Sequence, residues 1–304
     1  MTATEQLITE NLDIWASAVQ MKSAAGRGKA NKLELYGIKR LRELVLELAV
    51  RGLLVPQDPN DETASELLKK IAADKAQLVE DGKIKKQKPS PAIEEDEKPF
   101  ELPVGWEWAR LGGFVYPEMG QSPPSKFYNQ DGDGLPFFQG KADFGDKFPV
   151  PRYWCVQPTK FAYPNDILIS VRAPVGPTNI SNIECCIGRG LAALRPLSGV
   201  HSNFVDYLMK AFRPTLESFA TGTTFVAVSK TVVEGLVIPV PPLLEQARIV
   251  AKVDELMALC DQLQQQQETS ITAHQTLVQT LLDALTTASE SEGFTAAWAR
   301  IADH

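Results

Sequence analysis

The stretch LLEQARIVAKVDELMALCDQLQQQQETSITAHQTLVQTLLDAL, residues 243–285, decides how the rest of the chain is read. It contains no Gly or Pro over more than forty residues. Ile249, Val253, Leu256, Cys260, Leu263, Gln267, Ser270, His274, Leu277, Leu281 and Ala284 follow one another in alternating steps of four and three. That is the spacing of a coiled-coil seam, here with a polar middle at Gln267, Ser270 and His274. At about 1.5 Å per residue such a helix reaches roughly 60 Å. A stripe of that length cannot be buried against a small domain alone. It needs another long helix, and residues 33–51 or a second protein are the candidates. His274 lies on the seam, so a packed or partner-facing role fits it better than catalysis.

Upstream of this helix the texture is different. From LPVGWEWARLGGF onward, prolines, glycines and aromatics become frequent, and short β-rich runs appear: DILISVRA (166–173), CCIGRGLAALRP (185–196) and VEGLVIPVP (233–241). One helix is expected among them, around 202–219. Nearer the N-terminus, residues 5–22 and 33–51 read as helices, the second with Leu35, Ile38, Leu41, Val45 and Leu48 on one face and a stop at Gly52. A third starts near Asp61, with acids early and lysines late, as the helix dipole favours. The expected order is a helical region over 1–82, an exposed linker over 83–100, a mixed domain over 101–242, a long helix over 243–288 and the start of a further region over 289–304. The expected fold class is α+β: one mixed α/β domain with long loops, flanked by an N-terminal helical region and a long C-terminal coiled-coil helix.

Composition narrows the function classes. With 44% hydrophobic and 23% charged residues, the chain reads as a soluble globular protein. No run of apolar residues is long enough for a membrane span, and the acidic start does not read as a signal peptide. Cys155, Cys185, Cys186 and Cys260 lack metal-type spacing, which points to reduced thiols in a cytoplasmic protein. Cys185 and Cys186, being adjacent, should point to opposite faces of a strand. A net charge of −7 argues at first against nucleic acid. From Glu101 to Pro242, however, twelve Lys and Arg balance twelve Asp and Glu, so the acidic excess lies in the flanks. A neutral domain can carry a basic face.

Catalytic constellations are scarce. There is no GxxxxGK[ST] phosphate loop, no GxSxG elbow, no HExxH, no asparagine-proline-proline-aromatic site for base methylation and no glycine-rich cofactor loop. This reads as a chain that is not an enzyme by itself and binds neither metal nor cofactor. What it has instead is loops rich in hydrogen-bonding side chains. Gln121, Ser122, Lys126 and Tyr128 come from one; Gln139 and Lys141 flank Gly140 in another. Arg172 and Arg189 come from two more, and Thr221, Thr223, Thr224 and Lys230 from TGTTFVAVSK (221–230). These types suit DNA. Arg or Lys pairs with guanine, Gln with adenine, and a threonine methyl contacts thymine, while lysines and hydroxyls hold phosphates. Arg172 and Arg189 could equally be structural ion-pair partners. The basic loop SAAGRGKANK (23–32) is a solvated connector or a partner contact through Arg27, Lys29 and Lys32.

The chain resembles the DNA specificity subunits of type I restriction-modification systems. The N-terminal run NLDIWASAVQMKSAAGRGKANKLELYGIKRLRELVLELAVRG carries the resemblance, with LPVGWEWARLG, GQSPPSKFYN, DILISVRAPVGPTNIS, IGRGLAALRP, GTTFVAVSK and IPVPPLLEQARIVAKVDELMALCDQL. It implies a target-recognition domain reading one half of a split site in double-stranded DNA, and helices that dock methyltransferase subunits. S-adenosylmethionine would sit on the methyltransferase, and ATP and Mg on a restriction subunit that joins indirectly. The family carries two recognition domains and this chain one, so it is either part of a longer subunit or a half that pairs with a second copy of itself. The rival reading is a non-catalytic helical adaptor whose middle domain binds another protein.

Overall fold

The computed structural model describes residues 10–22, 32–220 and 227–287. They form two compact units, one over 43–254 and the other made of 10–42 and 255–287. In chain order the helices are α1 (Leu12–Ser17), α2 (Tyr36–Val50), α3 (Ala64–Glu80), α4 (Leu111–Phe114), α5 (Ser202–Ala211), α6 (Arg213–Ala220), α7 (Lys230–Gly235) and α8 (Leu243–Thr287). The strands are β1 (Gln20–Lys22), β2 (Lys32–Glu34), β3 (Glu107–Arg110), β4 (Val115–Met119), β5 (Tyr128–Asn129), β6 (Leu135–Phe138), β7 (Trp154–Cys155), β8 (Phe161–Ala162), β9 (Ile167–Ser170), β10 (Thr178–Ile180), β11 (Cys185–Ile187), β12 (Leu191–Pro196) and β13 (Val237–Val240).

The core of the larger unit follows from the two-residue period of its strands. A five-stranded sheet runs β5-β7-β6-β11-β8 and a four-stranded sheet runs β10-β9-β12-β4. Neighbouring residues on β6 and β11 point to opposite faces. Phe138, Cys185 and Ile187 therefore enter one cluster with Leu168, Leu191 and Ala193 of the four-stranded sheet. Phe137 and Cys186 enter another with Cys155, roofed by Phe127, Tyr128 and Tyr153. The adjacent cysteines divide between the two faces, as expected. Burial pushes the Cys185 thiol up to about 12 and that of Cys186 to about 11, so both are packing groups in the neutral form. A third, two-stranded sheet pairs β13 with β3.

Two expectations need correction and a third is made more specific. The helix expected over 5–22 ends at Ser17 among the described residues, because Gln20–Lys22 pairs antiparallel with Lys32–Glu34 and takes its hydrogen bonds from that ladder. The helix expected over 202–219 is two, α5 and α6, broken at Phe212. Pro214 has no N–H to continue α5, and it sits in the first turn of α6, where none is needed. The segment over 83–100 is exposed for much of its length but fastened. Arg110 donates to Glu97, Ala92 and Gly235, Gln87 donates to Glu234, and Phe100 packs on Trp108.

α8 is a single helix of 45 residues, about 68 Å at the standard rise. In the larger unit its first turn is locked in place. The buried Glu245 accepts from the Trp106 indole (3.0 Å) and from Gln57 (3.2 Å), and Arg248 is paired with Asp61. Seam positions Ile249 and Val253 are buried there, and Leu256 and Cys260 are buried in the smaller unit. In that unit Arg42 of α2 reaches Asp261 at 2.5 Å and Gln264 at 2.8 Å. Part of the companionship expected between residues 33–51 and the seam is thus present. From 261 to 284 no residue is buried, and His274, Leu277, Val278 and Leu282 are exposed. Along this part Thr269, Thr272, Thr276 and Thr280 donate to the carbonyls four residues earlier.

Glu245 makes α8 sensitive to pH. Burial, outweighing its two donors, raises its pKa above the ordinary 4.5. The folded state thus holds the proton more tightly than the unfolded chain, and stability falls as pH rises from about 4.5 through the raised folded value. Glu245→Gln keeps an acceptor for Trp106 without a charge. In urea unfolding across that window, the variant's midpoint should rise relative to wild type with increasing pH. A constant difference would show that Glu245 titrates normally.

Candidate nucleic-acid interface

The candidate site is built by strand ends. β6 and β11 run parallel, with Phe138 opposite Ile187, so the chain leaves both at the same end. β12 starts one tight turn after β11 and pairs antiparallel with β4 and β9, Met119 opposite Ala192 and Ser170 opposite Leu191. The exits of β4, β6, β9 and β11 therefore gather at one place. The turn Gly188-Arg189-Gly190 joins them. Gln121 N donates to Ile187 O (3.0 Å), Gly188 N to Phe138 O (2.8 Å) and Val171 N to Gly190 O (2.9 Å). Arg189 N donates to Ser122 Oγ at 3.2 Å.

Between these exits lies a concavity of about 710 Å³. Five residues singled out from the sequence line it: Ser122, Gln139, Lys141, Arg172 and Arg189. They lie within a span of sixty-odd residues, on four separate loops, and the topology brings them together. Gln139, Lys141, Arg172 and Arg189 are exposed, and among the described residues none of Lys141, Arg172 and Arg189 has a carboxylate partner. The alternative role for the two arginines, structural ion pairs, finds no support among those residues. Two glycines matter for shape. A Cβ on Gly190 would stand 2.2 Å from Gln139 O, so only Gly allows the two loops to touch, whereas one on Gly140 would meet nothing within 4 Å.

The other expected residues are elsewhere. Gln121 is exposed beside Ser122, with its carbonyl accepting from Thr159. Lys126 stands over the Phe127 ring. Tyr128 is half-buried, its ring 4.5 Å from that of Phe137 and its hydroxyl donating to Pro123 O. Lys230 opens α7 and faces Glu234 at 3.5 Å. Thr221, Thr223 and Thr224, like Arg27 and Lys29, lie outside the described residues. Ala227, beyond that stretch, bridges to Arg172, and Val228 N donates to Val171 O at 2.8 Å.

The structure adds two residues that the sequence reading missed, Asp143 and Arg152. The Asp143 carboxylate is 4% exposed and accepts from Gln139 N (2.6 Å), Gly140 N (3.3 Å) and Arg152. Nothing in the spacing of KADFGDKFPVPRYW announces this pairing; an acid followed by a base nine residues later in an irregular loop has no periodicity to reveal it. With Arg152 included, four basic residues and one acid line the concavity, a net charge of +3, on a domain whose charges balance as a whole. The basic face that a neutral composition left open is here.

Residues 103–273 match the family model described as Type I restriction modification DNA specificity domain. The chain is 43% identical over 316 aligned positions to the type I restriction enzyme EcoAI specificity subunit of Escherichia coli, covering 99% of this chain and 53% of that protein. It is 44% identical to the EcoEI specificity subunit of Escherichia coli, again over 99% of this chain and 53% of the relative. The chain spans about half the length of these curated relatives. A crystal structure of the HsdS subunit from Thermoanaerobacter tengcongensis is similar at a TM-score of 0.52 and 37% identity, covering 86% of this chain and 62% of that one.

The close approach at the turn is testable by stability. Gly190→Ala forces a methyl against a backbone oxygen and should cost about 1–3 kcal/mol in urea unfolding. Gly140→Ala, on the same rim, should change the midpoint little. Equal effects would mean that the approach at Gly190 is not a packing constraint.

Proposed function

The chain belongs to the type I restriction modification DNA specificity domain family, and on that premise we propose that it is a non-catalytic, sequence-reading part of a type I restriction-modification complex. Its recognition domain reads one half of a split site in double-stranded DNA. One observation carries this reading: five hydrogen-bonding residues from four loops converge on one concavity with a net positive charge, in a domain that is neutral as a whole. Cations without acidic partners attract phosphates and set register, while Gln139 and the arginines can pair with base edges.

The long helix gives this reading its second part. In this proposal α8 and α2 dock methyltransferase subunits, which carry S-adenosylmethionine, and a restriction subunit using ATP and Mg joins through them. The relatives named above, twice as long, fit a protein in which a domain like this one reads one half-site and a second domain, or a second copy, reads the other. The exposed Leu277, Val278 and Leu282 fit partner contact along the helix, which the adaptor reading also invokes. Salt dependence separates the two. Phosphate contacts release counterions and weaken steeply with salt, whereas an apolar protein interface does not.

Purified full chain is to be mixed with a random duplex library and the bound fraction sequenced across a salt series. Wild type should enrich a defined sequence and lose affinity between about 50 and 200 mM salt. Arg189→Ala and Lys141→Ala should each lower the salt slope by about one. A flat salt response with no enriched sequence would favour the adaptor.

A further inference from the structure

Arg152 differs from the other cations of the concavity in being held. Its Nε (3.0 Å) and Nη2 both meet Oδ1 of Asp143, a carboxylate that is itself buried. The side chain is still 53% exposed, and Nη1 has no partner among the described residues. A guanidinium is a rigid planar fork of five N–H donors. Engaging one edge through Nε and Nη2 leaves the end edge, with one N–H from each Nη, directed away from the carboxylate. Two parallel donors of that kind match the O6 and N7 acceptors of guanine in the major groove. The same carboxylate receives the backbone N–H groups of Gln139 and Gly140, so one buried anion fixes both the arginine and the loop beside it.

Resting on the DNA-reading function proposed above, we propose that Arg152 is a specificity-determining residue that reads a guanine edge in the half-site, with Asp143 as its positioning residue. Lys141, Arg172 and Arg189 must give up rotamer freedom when they bind, and their unneutralised charge attracts any sequence. Arg152 has surrendered that freedom on folding, and its charge is balanced by Asp143. It therefore contributes little to general attraction and much to discrimination. The division of labour has a signature: replacing Arg152 by Lys changes which sequence is bound and leaves the salt slope nearly unchanged, the opposite of replacing Lys141 or Arg189 by Ala.

The test uses the full chain and the random duplex library. Arg152→Ala should lose enrichment of guanine at one position, a drop of about 5- to 150-fold for that base against the others, with a lowered salt slope because Asp143 is left uncompensated. Arg152→Lys, which keeps the charge but not the fork, should lose most of that enrichment at a near-constant salt slope. Asp143→Asn should relax the same position while steepening the salt slope, because an uncompensated cation is left. A duplex with 7-deazaguanine at that position should weaken wild type and leave Arg152→Ala unaffected. Uniform weakening across all sequences would make Arg152 a phosphate contact and overturn the proposal. So would a lowered melting temperature with unaltered preference, which would make the pair purely structural. Sequence enrichment by wild type that Arg152→Ala leaves intact removes only this inference. A wild-type chain that enriches nothing removes the DNA-reading function and this inference together.

Discussion

The concavity between the strand exits depends on a backbone contact that only glycine permits. At Gly190 the chain passes so close to the Gln139 carbonyl that a single methyl would collide with it. That approach lets the turn after β11 lie against the loop after β6, and from there hydrogen bonds reach the loops after β4 and β9. Add a side chain there and the turn carrying Arg189 is pushed away from the loop carrying Gln139 and Lys141. The chemistry of the site is therefore set by backbone geometry first and by side chains second.

The scaffold beneath explains why such loops can be long and still defined. β6 and β11 are covered on both faces, by different clusters, through consecutive residues such as Phe137 and Phe138. A strand pair buried on both sides cannot slip register without exchanging the two clusters wholesale. The exits from those strands are therefore fixed to within a residue. The electrostatics follow the same partition. Asp166 is paired with Arg195 and Glu118 with Lys160, away from the concavity, while three of its cations lack such partners among the described residues.

Much of this was legible where a period exists. The four-and-three seam predicted the long helix, and alternation predicted the split between Cys185 and Cys186. The hydrogen-bonding loops were legible by composition, and five of their residues meet in one place because the strand order brings them there. Composition could not tell Tyr128, whose ring fills a cluster, from Gln139, which faces out. Nor could it show that 20–22 leaves the helix to pair with 32–34, since a short antiparallel ladder outweighs local propensity. The Asp143–Arg152 pair escaped for a related reason: loops have no repeat, so which acid meets which base is decided by the fold alone.

The threonines of α8 carry a consequence of their own. By composition, the face bearing Thr269, Thr272, Thr276 and Thr280 counts as hydrophilic. Each hydroxyl is turned back onto its own helix and spends its proton on a carbonyl one turn earlier. What such a residue offers outward is its γ-methyl. The surface between Gln265 and Thr280 is thus greasier than its letters suggest, a ribbon of small carbon groups that a hydropathy profile passes over.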